Sequence, residues 1–154
     1  MKRILFSLLI GVAIPIDSSA QQLAGTYKLL SFAADYDDGT SKEVFGKQPS
    51  GYLILTPKRL MVIIVSESRT PGSTPDQKAA LLSSMFSYTG PYRVEGSKLV
   101  TDVDVSWNQA WTGSKQGRTW VIEGNRLVLT TDKAPSVLEP SKMTVGRLVW
   151  EKVE

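Results

Sequence analysis

From residue 25 onward the chain is cut by turn signals into short, evenly spaced β-type segments, and this rhythm restricts the fold more than any other feature. Residues 99–107 give its clearest instance. Leu99, Thr101, Val103, Val105 and Trp107 fall on one face, and Asp102, Asp104 and Ser106 fall with Val100 on the other. Such alternation predicts a half-exposed antiparallel strand. Residues 60–65, Leu-Met-Val-Ile-Ile-Val, are apolar on both faces, and their brevity and β-branching favour a buried strand over a buried helix segment.

The same reading places strands over 25–34, 51–56, 60–66, 88–95, 99–107, 116–123, 126–131 and 144–152. Asp37-Asp38-Gly39, Pro57, Gly96-Ser97 and Gly124-Asn125 supply turns between them. One segment differs. Thr74-Pro75-Asp76-Gln77 has the chemistry of a helix start: a capping threonine, proline at the first position and glutamine three residues after the cap. Leu81, Leu82, Met85 and Phe86 then share a face at helical spacing, which predicts a short amphipathic helix up to Phe86. Eight strands and one short helix, with no strand–helix alternation, make an all-β sandwich or barrel and disfavour a parallel sheet.

The first twenty residues stand apart. Lys2 and Arg3 precede an uncharged apolar run over 4–16, and Ser18-Ser19-Ala20 follow. This pattern predicts a signal peptide over 1–20, cleaved after Ala20, and a single domain over 21–154 in the periplasm or secreted. The run is shorter than the ~18 residues of a spanning helix, so no stable membrane insertion is expected after cleavage. There is no cysteine, which excludes lipid attachment at the site and fits a periplasmic domain large enough to need no disulfide. Lys and Arg total 18 against 15 Asp and Glu, with no basic stripe, so nucleic acid is not an expected partner. The oligomeric state is not legible.

Several short motifs follow in a fixed order. They are Gly25-Thr26-Tyr27-Lys28-Leu29, Phe45-Gly46, Gly51-Tyr52-Leu53-Ile54 with Thr56-Pro57, and Tyr88-x-Gly90-x-Tyr92. Asn108, Trp111-x-Gly113-x-x-Gln116-x-Arg118, Glu123-Gly124-x-Arg126-Leu127 and Arg147-Leu148-Val149-Trp150-Glu151 complete the series. Together the series resembles the bacterial lipocalin-like family of short single-domain proteins, over almost all of the chain after Ala20. The resemblance implies an eight-stranded antiparallel barrel. Gly25-Thr26-Tyr27 corresponds to the family's Gly-x-Trp, with Tyr27 in place of Trp. Arg147 resembles the basic residue of the last strand that packs over this ring, so a structural Tyr27–Arg147 cation–π pair worth ~0.5–2 kcal/mol is expected.

A barrel of this size either fills with side chains or holds one small ligand. Arg118 shares a strand face with Trp120 and Ile122. Turned inward, it is a cation in an apolar cavity that can take a carboxylate bidentately; the commoner arrangements are snorkelling to the mouth or pairing with an internal acid. Trp107, Trp111 and Trp120, with Tyr52 and Tyr92, form either an aromatic cage at the mouth or ordinary core and rim packing. Met85 and Phe86 are placed to line the roof of a pocket, or to pack a helix on the outside.

Catalytic and metal chemistry have little to work with. Histidine and cysteine are both absent, which excludes histidine catalysis and metal sites of nitrogen or sulfur ligands. Asp102 and Asp104 read as a solvated face. No residue is marked as a nucleophile, and no cofactor or catalytic set is expected. Three functions remain: a carrier of a small apolar or amphipathic molecule, an isomerase- or cyclase-type enzyme using Tyr92 or Arg118, and a filled barrel that is a structural or interaction module. A cavity above roughly 300 Å³ favours the first two.

Overall fold

The computed structural model describes residues 18–136 and 138–154. Most of the expected signal peptide therefore lies outside the described residues. The elements are α1 (Ser18–Leu23), β1 (Gly25–Tyr36), β2 (Ser41–Glu43), β3 (Ser50–Leu55), β4 (Arg59–Val65), α2 (Pro75–Ser83), β5 (Met85–Glu95), β6 (Lys98–Asp102) and β7 (Val105–Ser106). A turn of 3-10 helix (Gln109–Trp111), β8 (Lys115–Glu123), β9 (Arg126–Thr130), β10 (Ala134–Pro135) and β11 (Met143–Lys152) follow.

The eight long strands run β1-β3-β4-β5-β6-β8-β9-β11, all antiparallel, and β11 pairs back onto β1 to close the ring. This is the closed eight-stranded barrel. Its hairpins follow from local chemistry. Glu95 pairs with Lys98 across Gly96-Ser97, and Glu123 with Arg126 across Gly124-Asn125. The first loop residue has φ +60° in one and +65° in the other, which the tight primed turns joining twisted strands demand and glycine supplies without strain. β3 and β4 alternate strictly: Leu53, Leu55, Leu60, Val62 and Ile64 point inward, while Tyr52, Ile54, Met61 and Ile63 point out.

Leu23, Leu53, Leu60, Leu99, Leu127 and Trp150 are the most deeply buried large apolar side chains of the core. α1 lies across one end of the barrel and satisfies the tyrosines there. Tyr27 donates to the Leu23 carbonyl at 2.9 Å and Tyr92 to the Ala20 carbonyl at 3.2 Å. The bond expected to be cleaved, after Ala20, falls inside α1.

Four expectations change. The helix begins with the expected capping box, but it ends at Ser83 and has no buried residue. The Ser84 amide closes it onto the Ala80 and Leu81 carbonyls, and Met85 and Phe86 enter β5 opposite Val65 and Ile64. The strand over 99–107 breaks after Asp102. Val103 turns away to pair with Ser114 and Gly113, and the chain resumes as β7 against β5. The faces flip at that break, as a one-residue slip requires: Val103 is buried, yet Val105 is 61% exposed. Gly90 lies where this break passes β5, and a Cβ there would collide with the Asp102 carbonyl. The segments read as turn or loop hold two more short strands, β2 and β10.

The fourth change concerns the seam. Arg147 does not reach Tyr27. It sits opposite Ala33 and turns to Asp35, with Nε 2.7 Å from Oδ2. Lys152 is the residue opposite Tyr27, and its Nζ lies 5.8 Å from the ring centroid. A β-bulge between Leu29 and Ser31 resets the pairing between these two points. The first and last strands are thus fastened twice, by an ion pair at one end and a cation over a ring at the other.

Candidate ligand-binding cavity

At the end opposite α1 the barrel does not fill. A cavity of about 320 Å³ opens there. Leu53, Leu60, Val62, Leu129, Leu148 and Trp150 form its inner walls. Phe32, Phe45, Phe86, Tyr88, Trp107 and Trp111 form a collar above them. The collar rings hold one another in place. Phe32 meets Phe45 and Phe86 edge-on at 5.8 and 6.1 Å, Phe86 stacks on Tyr88 at 6.3 Å and on Trp111 at 6.2 Å, and Trp107 meets Trp111 edge-on at 5.0 Å. Each such contact adds about 0.5–1.5 kcal/mol to simple burial.

Arg118 is the charged residue in this lining. Its Nη1 donates to the Gly117 carbonyl at 2.6 Å and its Nη2 to Gln116 Oε1 at 3.2 Å, which leaves three of its five N–H donors unused. Among the described residues no carboxylate pairs with it. Arg118 also influences the Tyr88 phenol. Burial pushes that hydroxyl's pKa up, and the guanidinium charge pulls it partly back. The cavity therefore offers apolar and aromatic walls, one cation with spare donors and a neutral phenol beside it.

The sequence-derived residues divide. Arg118, Trp107, Trp111, Met85 and Phe86 converge on the cavity. Trp120 does not line it and packs lower against the core. Tyr92 is held at the closed end by α1, too deep to join a cage. Tyr52 is 49% exposed on the outer face, opposite Ile63, because the strict alternation of β3 turns Leu53 inward. Phe32 and Phe45 were not marked in the sequence as site residues. Phe32 lies on a strand apolar on both faces, and Phe45 lies in an aperiodic stretch; the Phe45-Gly46 pair is the one signal that pointed to it.

Asp102 and Asp104 lie outside on the barrel wall. Asp104 takes both Arg59 nitrogens, at 2.9 and 2.8 Å, and Asp102 is shared by Lys115 and Arg93. These hydrogen bonds hold both carboxyls below the usual range. Among the described residues there is no cluster of three or more groups able to hold a metal, and no helix is long and apolar enough to cross a membrane.

Residues 24–153 match the family model of the lipocalin-like domain. The chain belongs to that family. Among solved structures it is similar to a lipocalin-like protein from Bacteroides uniformis ATCC 8492, with 16% identity and a TM-score of 0.48 over 84% of this chain and 97% of the other. It is also similar to an uncharacterized protein from Bacteroides eggerthii DSM 20697, with 13% identity and a TM-score of 0.46 over 84% and 98%. No curated protein matches the chain. The lipocalin-like domain accounts for the closed barrel.

Proposed function

We propose that this lipocalin-like protein is exported, with its leader removed after Ala20, and carries a small amphipathic molecule whose anionic head meets Arg118. The observation that carries the reading is a cavity of about 320 Å³ in which apolar and aromatic walls surround one cation without an acidic partner. A small-ligand pocket combines these features: roughly 300–1,000 Å³, mostly apolar, with a few polar groups placed to orient the guest. A filled barrel has no use for a half-buried guanidinium set among apolar side chains without an acidic partner, because desolvating a charge is costly. The aromatic collar supplies flat surfaces to an acyl or isoprenoid body, and the guanidinium supplies a planar pair of donors to a carboxylate.

Decanoic acid and decanol separate the two contributions in calorimetric titration. Arg118→Gln should weaken decanoate binding roughly ten- to hundredfold, the value of a charge-assisted hydrogen bond, and leave decanol nearly unchanged. Melting temperature should barely move. A protein that takes up neither compound, and yields a clean apo mass by native mass spectrometry when purified from its own host, overturns the reading. An N-terminus other than Gln21 on the mature protein overturns the leader assignment.

A further inference from the structure

Cleavage after Ala20 leaves a glutamine, Gln21, at the head of the mature chain. A terminal glutamine holds two reactants in one residue. Its free α-amine and its side-chain carboxamide can close into a small, unstrained lactam. The reaction needs no encounter, and reactants held together this way behave as if at very high concentration.

The structure keeps this residue in place without the leader. The Gln21 side chain is exposed, while Leu23 is fully buried. The Ala24 amide donates to the Gln21 carbonyl at 3.3 Å, the Tyr27 hydroxyl to the Leu23 carbonyl at 2.9 Å, and Lys152 Nζ to the Ala24 carbonyl at 2.9 Å. These bonds involve neither Ala20 nor any residue before it, so cleavage there leaves them intact. The new terminus is thus pinned to the closed end of the barrel, with its carboxamide in water. Lys152 already brings a positive charge to this turn. A second one is disfavoured beside it, which favours the free base of the amine. At neutral pH roughly a tenth of an ordinary α-amine is in that form.

We propose that Gln21 of the mature protein is a modification site and closes on itself to pyroglutamate. The free-base α-nitrogen attacks the Cδ of its own carboxamide. The bond from the α-nitrogen to Cδ forms, and the bond from Cδ to Nε2 breaks. A proton passes from the attacking nitrogen to the leaving one, which departs as ammonia. No oxidant, cofactor or second protein is consumed. The terminal positive charge disappears, and the chain presents no free amine to an aminopeptidase. This rests on the leader assignment above and is independent of what the cavity carries.

Intact-mass measurement and stepwise degradation from the amino end test it, on the wild type and on Gln21→Asn, each purified as the mature protein from its own host. The wild type should weigh one ammonia less than residues 21–154. It should resist degradation until pyroglutamyl peptidase removes its first residue, after which the sequence reads from Gln22. Gln21→Asn should show its full mass and read from the first cycle, because the shorter side chain would have to close a strained ring. Should the variant fail to be processed or to fold, the response of the wild type to pyroglutamyl peptidase decides alone. A wild-type chain that starts at Gln21 with its full mass and a readable amine overturns the proposal and leaves the leader assignment standing. A terminus at any other residue overturns both.

Discussion

The two ends of the barrel use similar residues to opposite effect. At the closed end of the uncleaved chain, tyrosine hydroxyls are spent on backbone carbonyls of α1: Tyr27 on Leu23, which removal of a leader after Ala20 would keep, and Tyr92 on Ala20, which it would take away. At the other end, rings pack on rings around a cavity, and Arg118 keeps spare donors there. The first arrangement is a plug and the second a receptacle. The difference lies less in composition than in whether the chain returns a segment to fill the end. α1 does so at one end. At the other, α2 has no buried residue and does not fill the cavity.

This contrast predicts that stability and binding can be separated by substitution. Leu23→Ala should be the most damaging. It empties a fully buried position, so unfolding in urea should show a loss of about 2–5 kcal/mol, while decanoate affinity stays within about twofold. A large change in affinity would mean that the two ends are coupled. Phe86→Ala should reverse the balance. The ring is partly buried and central to the collar, so the loss of stability should be only about 1–2 kcal/mol, with a larger relative fall in affinity.

The smallest effect belongs to the seam. Arg147→Ala should cost about 1 kcal/mol or less, because the pair with Asp35 is over a third exposed and screened. Its pH dependence tests the cause. Hydrogen bonding to Arg147 lowers the Asp35 pKa in the folded state. The stabilisation is therefore complete above the ordinary carboxylate range and lost as the pH falls through the depressed folded value. Wild type and Arg147→Ala should differ most in melting temperature near neutrality and converge in acid. A constant difference would assign the effect to packing instead.

Much of the barrel was legible because its signals are local. Gly96-Ser97 and Gly124-Asn125 announce hairpins by themselves, and the alternation around Leu99 needs only its own neighbours. What escaped depends on pairing between distant strands. The bulge at Leu29 and Ser31 decides whether Arg147 or Lys152 meets Tyr27, and no short-range pattern reports it. Tyr52 sits among apolar neighbours on both sides, so its own segment does not say which face is inward; the alternation of β3 against β4 does. The cavity was read in part. Arg118 drew notice as a cation between apolar positions, and the tryptophans by number. Phe32 and Phe45 come from separate segments and become neighbours only when the ring closes.

The return of β11 to β1 also fixes an order of events. Lys152 Nζ touches the carbonyl of Ala24, 128 residues earlier, at 2.9 Å. A nascent chain that has delivered only its first seven long strands holds an open sheet with two unpaired edges, and an exposed edge recruits other strands. Contacts of such long sequence separation form slowly, since the whole intervening loop has to be closed before they repay it. The receptacle thus does not exist until the last strand is made. On the carrier reading, binding therefore depends on the closure of β11 onto β1, which completes the cavity wall.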